Sequence, residues 1–172
     1  ECVGVLHHME KPTRGLKILL NLLEPHGVMK LGLYSEKARQ HIVHVREFIK
    51  ENKFNNTAEG IRDCRRSIIN KKENKMFKEI LNRSDFYTIS SARDLMFHAY
   101  EHRFNLSQIS QMISDFDLEF LGFTNEKIKN KYSKKFPEDK ENIILENWNK
   151  FETLEPETFI GMYNFWLRKK KH

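Results

Sequence analysis

Two short apolar runs, Val3-Gly4-Val5-Leu6 and residues 28–34, flank a segment with helical periodicity, and this arrangement constrains the chain more than any other feature. Pro12 can occupy a first helical turn, where a missing N–H costs nothing. Leu16, Leu19, Leu20 and Leu23 then form an apolar stripe that Pro25 and Gly27 stop. Strand, helix of about three turns and strand make a right-handed βαβ crossover. The second run sets Val28, Leu31 and Leu33 beside Met29 and Gly32, which suits a strand covered on both faces, as parallel strands are.

After this α/β opening the pattern becomes helical. Ser35 stands as the cap of a helix carrying Ala38, Ile42, Val45 and Ile49 to about Lys53. Thr57 caps a second with Ile61, Cys64 and Ile68, and Met76, Phe77, Ile80 and Leu81 mark a third that ends near Arg83. Residues 91–100 and 106–116 read as helices, and residues 118–123 as a strand. Residues 125–136 and 140–151 read as amphipathic helices separated by Pro137. The last strand, residues 158–167, contains Phe159, Met162, Tyr163, Phe165 and Trp166. The expected organisation is therefore 1–35 as strand, helix, strand; 36–90 as a helical insertion; and 91–172 as helices with two further strands.

With 172 residues, 39% hydrophobic and 12% aromatic, the chain can bury a proper core. No apolar stretch approaches the roughly 18 residues of a membrane span. Cys2 and Cys64 have neither disulfide nor metal spacing, so a cytoplasmic location fits best. The net charge of +6 is spread over interleaved pairs such as Arg46-Glu47 and Lys72-Glu73, which describes solvated helix faces and argues against nucleic acid. The real basic clusters are Arg62, Arg65, Arg66, Lys71 and Lys72, and the tail 168–171. A non-catalytic helical module that binds an acidic partner through the first of these is the alternative function.

The opening Gly4-Val5-Leu6-His7-His8, the passage Leu22-Leu23-Glu24-Pro25-His26-Gly27-Val28-Met29 and the closing Phe159-Ile160-Gly161-Met162-Tyr163-Asn164-Phe165-Trp166 together resemble class I S-adenosylmethionine (SAM)-dependent methyltransferases of a bacterial subgroup. His26 departs from the glycine usual in that passage. The resemblance implies the C-terminal half of a Rossmann-like sheet, strands 4-5-7-6 with the last antiparallel, and a helical insertion after strand five. It implies a methyl transfer to an unidentified acceptor, with SAM as cofactor. The 7 glycines make no G-x-G-x-G, and the family's acidic residue ending the second strand has no counterpart. A missing N-terminal half is therefore an expected partner, and the isolated chain is expected to bind SAM weakly or not at all and to be inactive. A homodimer through the apolar edge strand, residues 2–6, is expected as well.

By the same resemblance, Val3, Gly4 and Val5 pass beside the cofactor, and His7 and His8 line the mouth of the site, where an imidazole can act as base. Tyr34, Ser35, Glu101, His102 and Arg103 are candidates for the substrate pocket. His98-Ala99-Tyr100-Glu101-His102 matches H-x-x-E-H, a zinc-peptidase spacing. Arg103 and the break at Phe104-Asn105 argue against that reading, and no metal is assigned. His41 and His44 sit on an ordinary amphipathic face.

Overall fold

The computed structural model describes residues 1–170; Lys171, within the basic tail, and His172 lie outside the described residues. The chain divides into two units. The first takes residues 1–38 and the chain from Tyr100 onward, and the second takes Arg39–Ala99.

The first unit is α/β. Its strands are β1 (Cys2–Val3), β2 (Val28–Leu33), β3 (Leu118–Phe123) and β4 (Tyr163–Lys169), in the sheet order β1-β2-β4-β3. β1 and β2 are parallel, with Cys2 opposite Leu31 and Val3 opposite Gly32. β4 runs antiparallel to both neighbours. Period-two alternation puts Met29, Leu31 and Leu33 of β2 and Tyr163, Phe165 and Leu167 of β4 on one face, and all six are buried. β3 joins them through a bulge. Two residues, Leu121 and Gly122, occupy the space of one between Phe120 and Phe123, which returns Phe123 to the core side with its ring 5.2 Å from that of Phe120. Gly122 takes the positive φ of 111° that this requires.

Helices α1 (Pro12–Leu22), α6 (Leu106–Asp115), α7 (Glu126–Lys135) and α8 (Leu145–Leu154) contribute Leu16, Leu20, Ile109, Ile113, Tyr132, Trp148 and Phe151 to the same core cluster. Pro12 holds the first position of α1, and α6 starts with a capping box between Asn105 and Gln108. The α7–α8 corner is built around Asp139. It accepts from the Tyr132 hydroxyl at 2.5 Å and from the backbone N–H groups of Ile143 and Ile144. The Tyr132 ring stacks on Trp148 at 3.7 Å, and the indole N–H donates to the Asn142 carbonyl.

The second unit is helical: α2 (Gln40–Glu51), α3 (Ala58–Ile69), α4 (Lys75–Leu81) and α5 (Ile89–Phe97). Its core holds Ile42, Val45, Ile61, Cys64, Ile68, Phe77, Ile80, Phe86, Ala92 and Met96. Thr57, Asn74 and Thr88 cap the last three helices. Burial pushes the Cys64 thiol up to about 12, so it is an inert apolar filler.

Several boundaries differ from the sequence expectation. The first strand is Cys2–Val3, because Gly4 takes φ 77° and residues 6–8 form a 3-10 turn; Val5 points to solvent, and the regular edge is two residues long. Ser35 caps a turn, accepting from the Ala38 N–H, while α2 begins only at Gln40. α8 starts at Leu145, since Asp139 and Asn142, at φ 58°, hold residues 139–144 in a loop. The last strand starts at Tyr163. Among the described residues no helix is long and apolar enough to cross a membrane.

Asp139→Ala leaves the buried Tyr132 hydroxyl and two N–H groups without their acceptor, each worth roughly 1 to 3 kcal/mol when buried. Urea denaturation should show a loss of about 3 kcal/mol with little change in slope.

Candidate functional site

The carboxyl ends of β1 and β2 are where the chain concentrates polar side chains. The positive φ of Gly4 turns the chain out of β1, and its N–H still reaches the Gly32 carbonyl at 3.4 Å. The 3-10 turn then sets His7 and His8 side by side. The His7 ring lies flat on Tyr34, with centroids 3.6 Å apart and planes 23° apart, and meets His8 edge-on at 4.5 Å. His7 is fully buried and His8 half-buried.

A second segment crosses this end of the sheet. The His102 N–H donates to the His7 carbonyl at 2.8 Å, the Phe104 N–H to the Tyr34 carbonyl at 2.9 Å, and the Glu36 N–H to the Phe104 carbonyl at 2.8 Å. Ser35 and Phe104 form a parallel bridge. Residues 102–104 thus lie along residues 34–36 as a short added strand. All seven residues singled out at these chain positions, His7, His8, Tyr34, Ser35, Glu101, His102 and Arg103, fall within one unit.

The side chains divide by exposure. His8 Nδ1 lies 2.9 Å from the Tyr100 carbonyl. A carbonyl only accepts, so Nδ1 carries the proton, and in the neutral ring the lone pair sits on Nε2. Arg103 pairs with Glu36 at 3.0 Å and with the buried Glu101 carboxylate at 3.5 Å. His102 Nε2 is buried and has no hydrogen-bond partner among the described residues. Of the candidates beside the cofactor, Val3 and Val5 are exposed, and nothing lies within 4 Å of where a Gly4 Cβ would stand. A side chain at Gly4 is therefore opposed by its φ and not by crowding.

Ser35 lies in the interior. Its hydroxyl donates to Glu152 at 2.6 Å, and Tyr163 donates to the same carboxylate at 2.8 and 2.7 Å to its two oxygens. Glu152 is fully buried, and desolvation pushes its carboxyl above the ordinary value, only partly opposed by the Ser35 and Tyr163 hydrogen bonds and by the Lys37 charge. Burial raises the Tyr163 hydroxyl too. Sequence reasoning missed Glu152: it sits inside the apolar period of α8, between Phe151 and Thr153, and that misplaced charge was the available signal.

The H-x-x-E-H spacing does not form a helical face, since α5 ends at Phe97 and His98 is extended. Among the described residues no group of three or more His, Cys, Asp or Glu side chains could hold a metal ion. His41 accepts from Arg83 Nε at 3.2 Å, and His44 packs on Phe77.

Known proteins place the architecture. The chain matches the structure of PKMT2 from Rickettsia typhi with a TM-score of 0.68 at 15% identity, over 98% of this chain and 34% of that one. The same protein in complex with AdoHcy matches with a TM-score of 0.66 at 13% identity, over 99% of this chain and 35% of that one. The chain shares its fold with part of that protein. An uncharacterized protein of a Synechococcus strain is 28% identical over 132 residues, 72% of this chain and 31% of the relative. The chain thus spans about a third of the length of the proteins it matches. No family profile matches.

Because the folded Glu152 carboxyl titrates above the ordinary 4.5, folding favours its neutral form. Its contribution is fully present below that value and is lost as pH rises through the folded value. In urea titrations from about pH 4 to about pH 7, wild type should lose stability relative to Glu152→Gln; a flat difference would mean that the carboxyl is not perturbed.

Proposed function

We propose that this chain is the C-terminal part of a SAM-dependent methyltransferase that methylates an acceptor nucleophile. β1, β2, β4 and β3 would be the fourth, fifth, seventh and sixth strands of that enzyme, and the Arg39–Ala99 unit its insertion after the fifth. The observation that carries the reading is the sheet: a parallel β1-α1-β2 unit, then the last strand of the chain antiparallel between β2 and β3. The likeness to PKMT2 over nearly the whole of this chain supports it. Val3, Lys30, Gly32, Asn164 and Trp166 share the second face of the sheet by register, and none belongs to the core cluster.

The neighbour in complex with AdoHcy, which is SAM without its methyl group, supports SAM as the cofactor of the longer enzyme. The exposed Val3-Gly4-Val5 ledge fits one flank of such a molecule. No glycine-rich turn and no acidic strand end accompany it, so these residues do not make up a SAM site by themselves. SAM supplies an already activated methyl group. What remains for the protein is to align the acceptor, exclude water and take a proton from it.

His8 is the group suited to the last task. Its half-buried ring stands on the 3-10 turn at the carboxyl end of β1, whereas His7, buried under Tyr34, holds the turn in place. Arg103, partly exposed and held by Glu36 and the buried Glu101, would orient a polar acceptor. Exposed Val3 lies on an edge strand that further strands of the enzyme would pair.

Calorimetric titration of this chain with SAM should give no saturable heat at micromolar concentrations. Joined to the coding sequence that precedes it, the chain should bind SAM saturably. Failure of the longer protein to bind SAM would overturn the reading.

In that longer protein, His8→Gln should lower kcat by about a hundredfold, remove the rise of rate with pH and leave SAM affinity unchanged. His7→Gln should instead lower thermal stability. Loss of kcat in both variants together with an intact pH profile would show that neither ring is the base.

A further inference from the structure

In the helical unit, α3 carries Arg62, Arg65, Arg66 and Ile69 at i, i+3, i+4 and i+7, one stripe opposite the buried Ile61, Cys64 and Ile68. The stripe lines a concavity of about 380 Å³. Ile69 is 44% exposed there. The Arg65 guanidinium lies over the Phe86 ring at 5.4 Å, and its Nε is buried without a hydrogen-bond partner among the described residues. Arg66 pairs with Asp63, whereas Arg62 and Arg65 make no ion pair among the described residues. This is unlike Arg103, Arg168, Lys129 and Lys150, each of which faces a carboxylate.

We propose that this face of α3 docks an acidic peptide segment that carries an apolar side chain beside its carboxylates. Guanidinium groups bind carboxylates through paired N–H donors, and stacking on Phe86 restricts Arg65 before the partner arrives, so less side-chain freedom is lost on binding. Ile69 offers the apolar contact. A nucleic-acid backbone fits less well, because its row of phosphates offers no apolar side chain to the exposed Ile69. The surface belongs to the helical unit alone and stands whether or not the chain takes part in methyl transfer.

The test is fluorescence anisotropy with a labelled peptide of repeated Glu-Glu-Leu, its Gln-Gln-Leu counterpart and a single-stranded DNA of similar length. The acidic peptide should bind saturably and the Gln peptide should not. Arg62→Glu with Arg66→Glu should weaken binding by about tenfold or more, and Arg65→Lys, which keeps charge but loses the fork, by about threefold. Lys134→Glu with Lys140→Glu on the other unit, an equal change of charge, should alter it less than about twofold. Equal weakening by both charge reversals, tighter binding of the DNA with the same arginine dependence, or no saturable binding would each overturn the proposal. Circular dichroism of each variant separates lost folding from lost binding, and Arg65→Lys preserves the test if the reversals unfold.

Discussion

The double pairing of β4 is the constraint on which the α/β unit depends. This last strand meets β2 from Val28↔Arg168 to Leu33↔Tyr163 and β3 from Leu118↔Lys169 to Phe123↔Phe165, so it is hydrogen-bonded on both edges. Its inward residues Tyr163, Phe165 and Leu167 are all fully buried. Its first residue, Tyr163, also fixes the Glu152 carboxylate of α8, which in turn holds Ser35 at the end of β2. Without the final segment, β2 and β3 have no common partner and the site loses its floor. The pairing joins residues far apart in sequence, so loop-closure entropy is spent before these contacts reward it, and this sheet should form late in folding.

Much of this architecture was legible in the chain. The βαβ opening, the Pro12 start and Pro25-Gly27 stop of α1, the helices of the middle and the strand Leu118–Phe123 all follow from period and capping residues. The errors lie where one residue overrides a pattern. Val3-Gly4-Val5-Leu6 reads as a continuous strand, but a glycine at positive φ ends it after Val3. Residues 140–144 extend the helical period of α8, but the Asp139 carboxylate takes the N–H groups of Ile143 and Ile144 and holds the loop open until Leu145. Phe159 is a core residue, as its aromatic neighbours suggested, yet it packs from a turn and not from the strand.

The site was legible as a set of positions and not as a set of roles. Nothing in His7-His8 says which ring is interior; the 3-10 turn decides it, since two adjacent residues there point to different sides. Nor does the sequence show that residues 102–104 cross the sheet end, because the bonds that hold them are made by backbone groups of His7, Tyr34 and Glu36. The H-x-x-E-H residues straddle the end of α5 and so share no helical face. Glu152 could have been noticed as a charge on an apolar stripe, but its partners Ser35 and Tyr163 lie in segments 117 and 11 residues away.

The second face of the sheet is graded in polarity, and the gradient follows the strand arrangement. At the amino end of β2, Arg168 opposite Val28 makes two bonds to Glu119, at 2.6 and 2.8 Å, and Lys30 lies over Trp166 at 6.0 Å while also reaching Glu1. These long side chains lay their stems over apolar surface and keep their charges in water, as an antiparallel sheet with a solvated face requires. Toward the carboxyl end the long side chains disappear. Gly32 is hemmed by Val3, Met162 and Asn164, so that a Cβ there would meet Val3 Cγ1 and Met162 Sδ at 2.7 Å and Asn164 Oδ1 at 2.9 Å. Asn164 Oδ1 is buried and has no hydrogen-bond partner among the described residues. An acceptor withheld from water without a bond costs free energy, of order 1 to 3 kcal/mol, and such a cost persists where something else is gained. The parallel pair lies at this end, beside the His8 turn. The part of the sheet least adapted to water is therefore the part nearest the candidate site, whereas the part built from ion pairs is the part farthest from it.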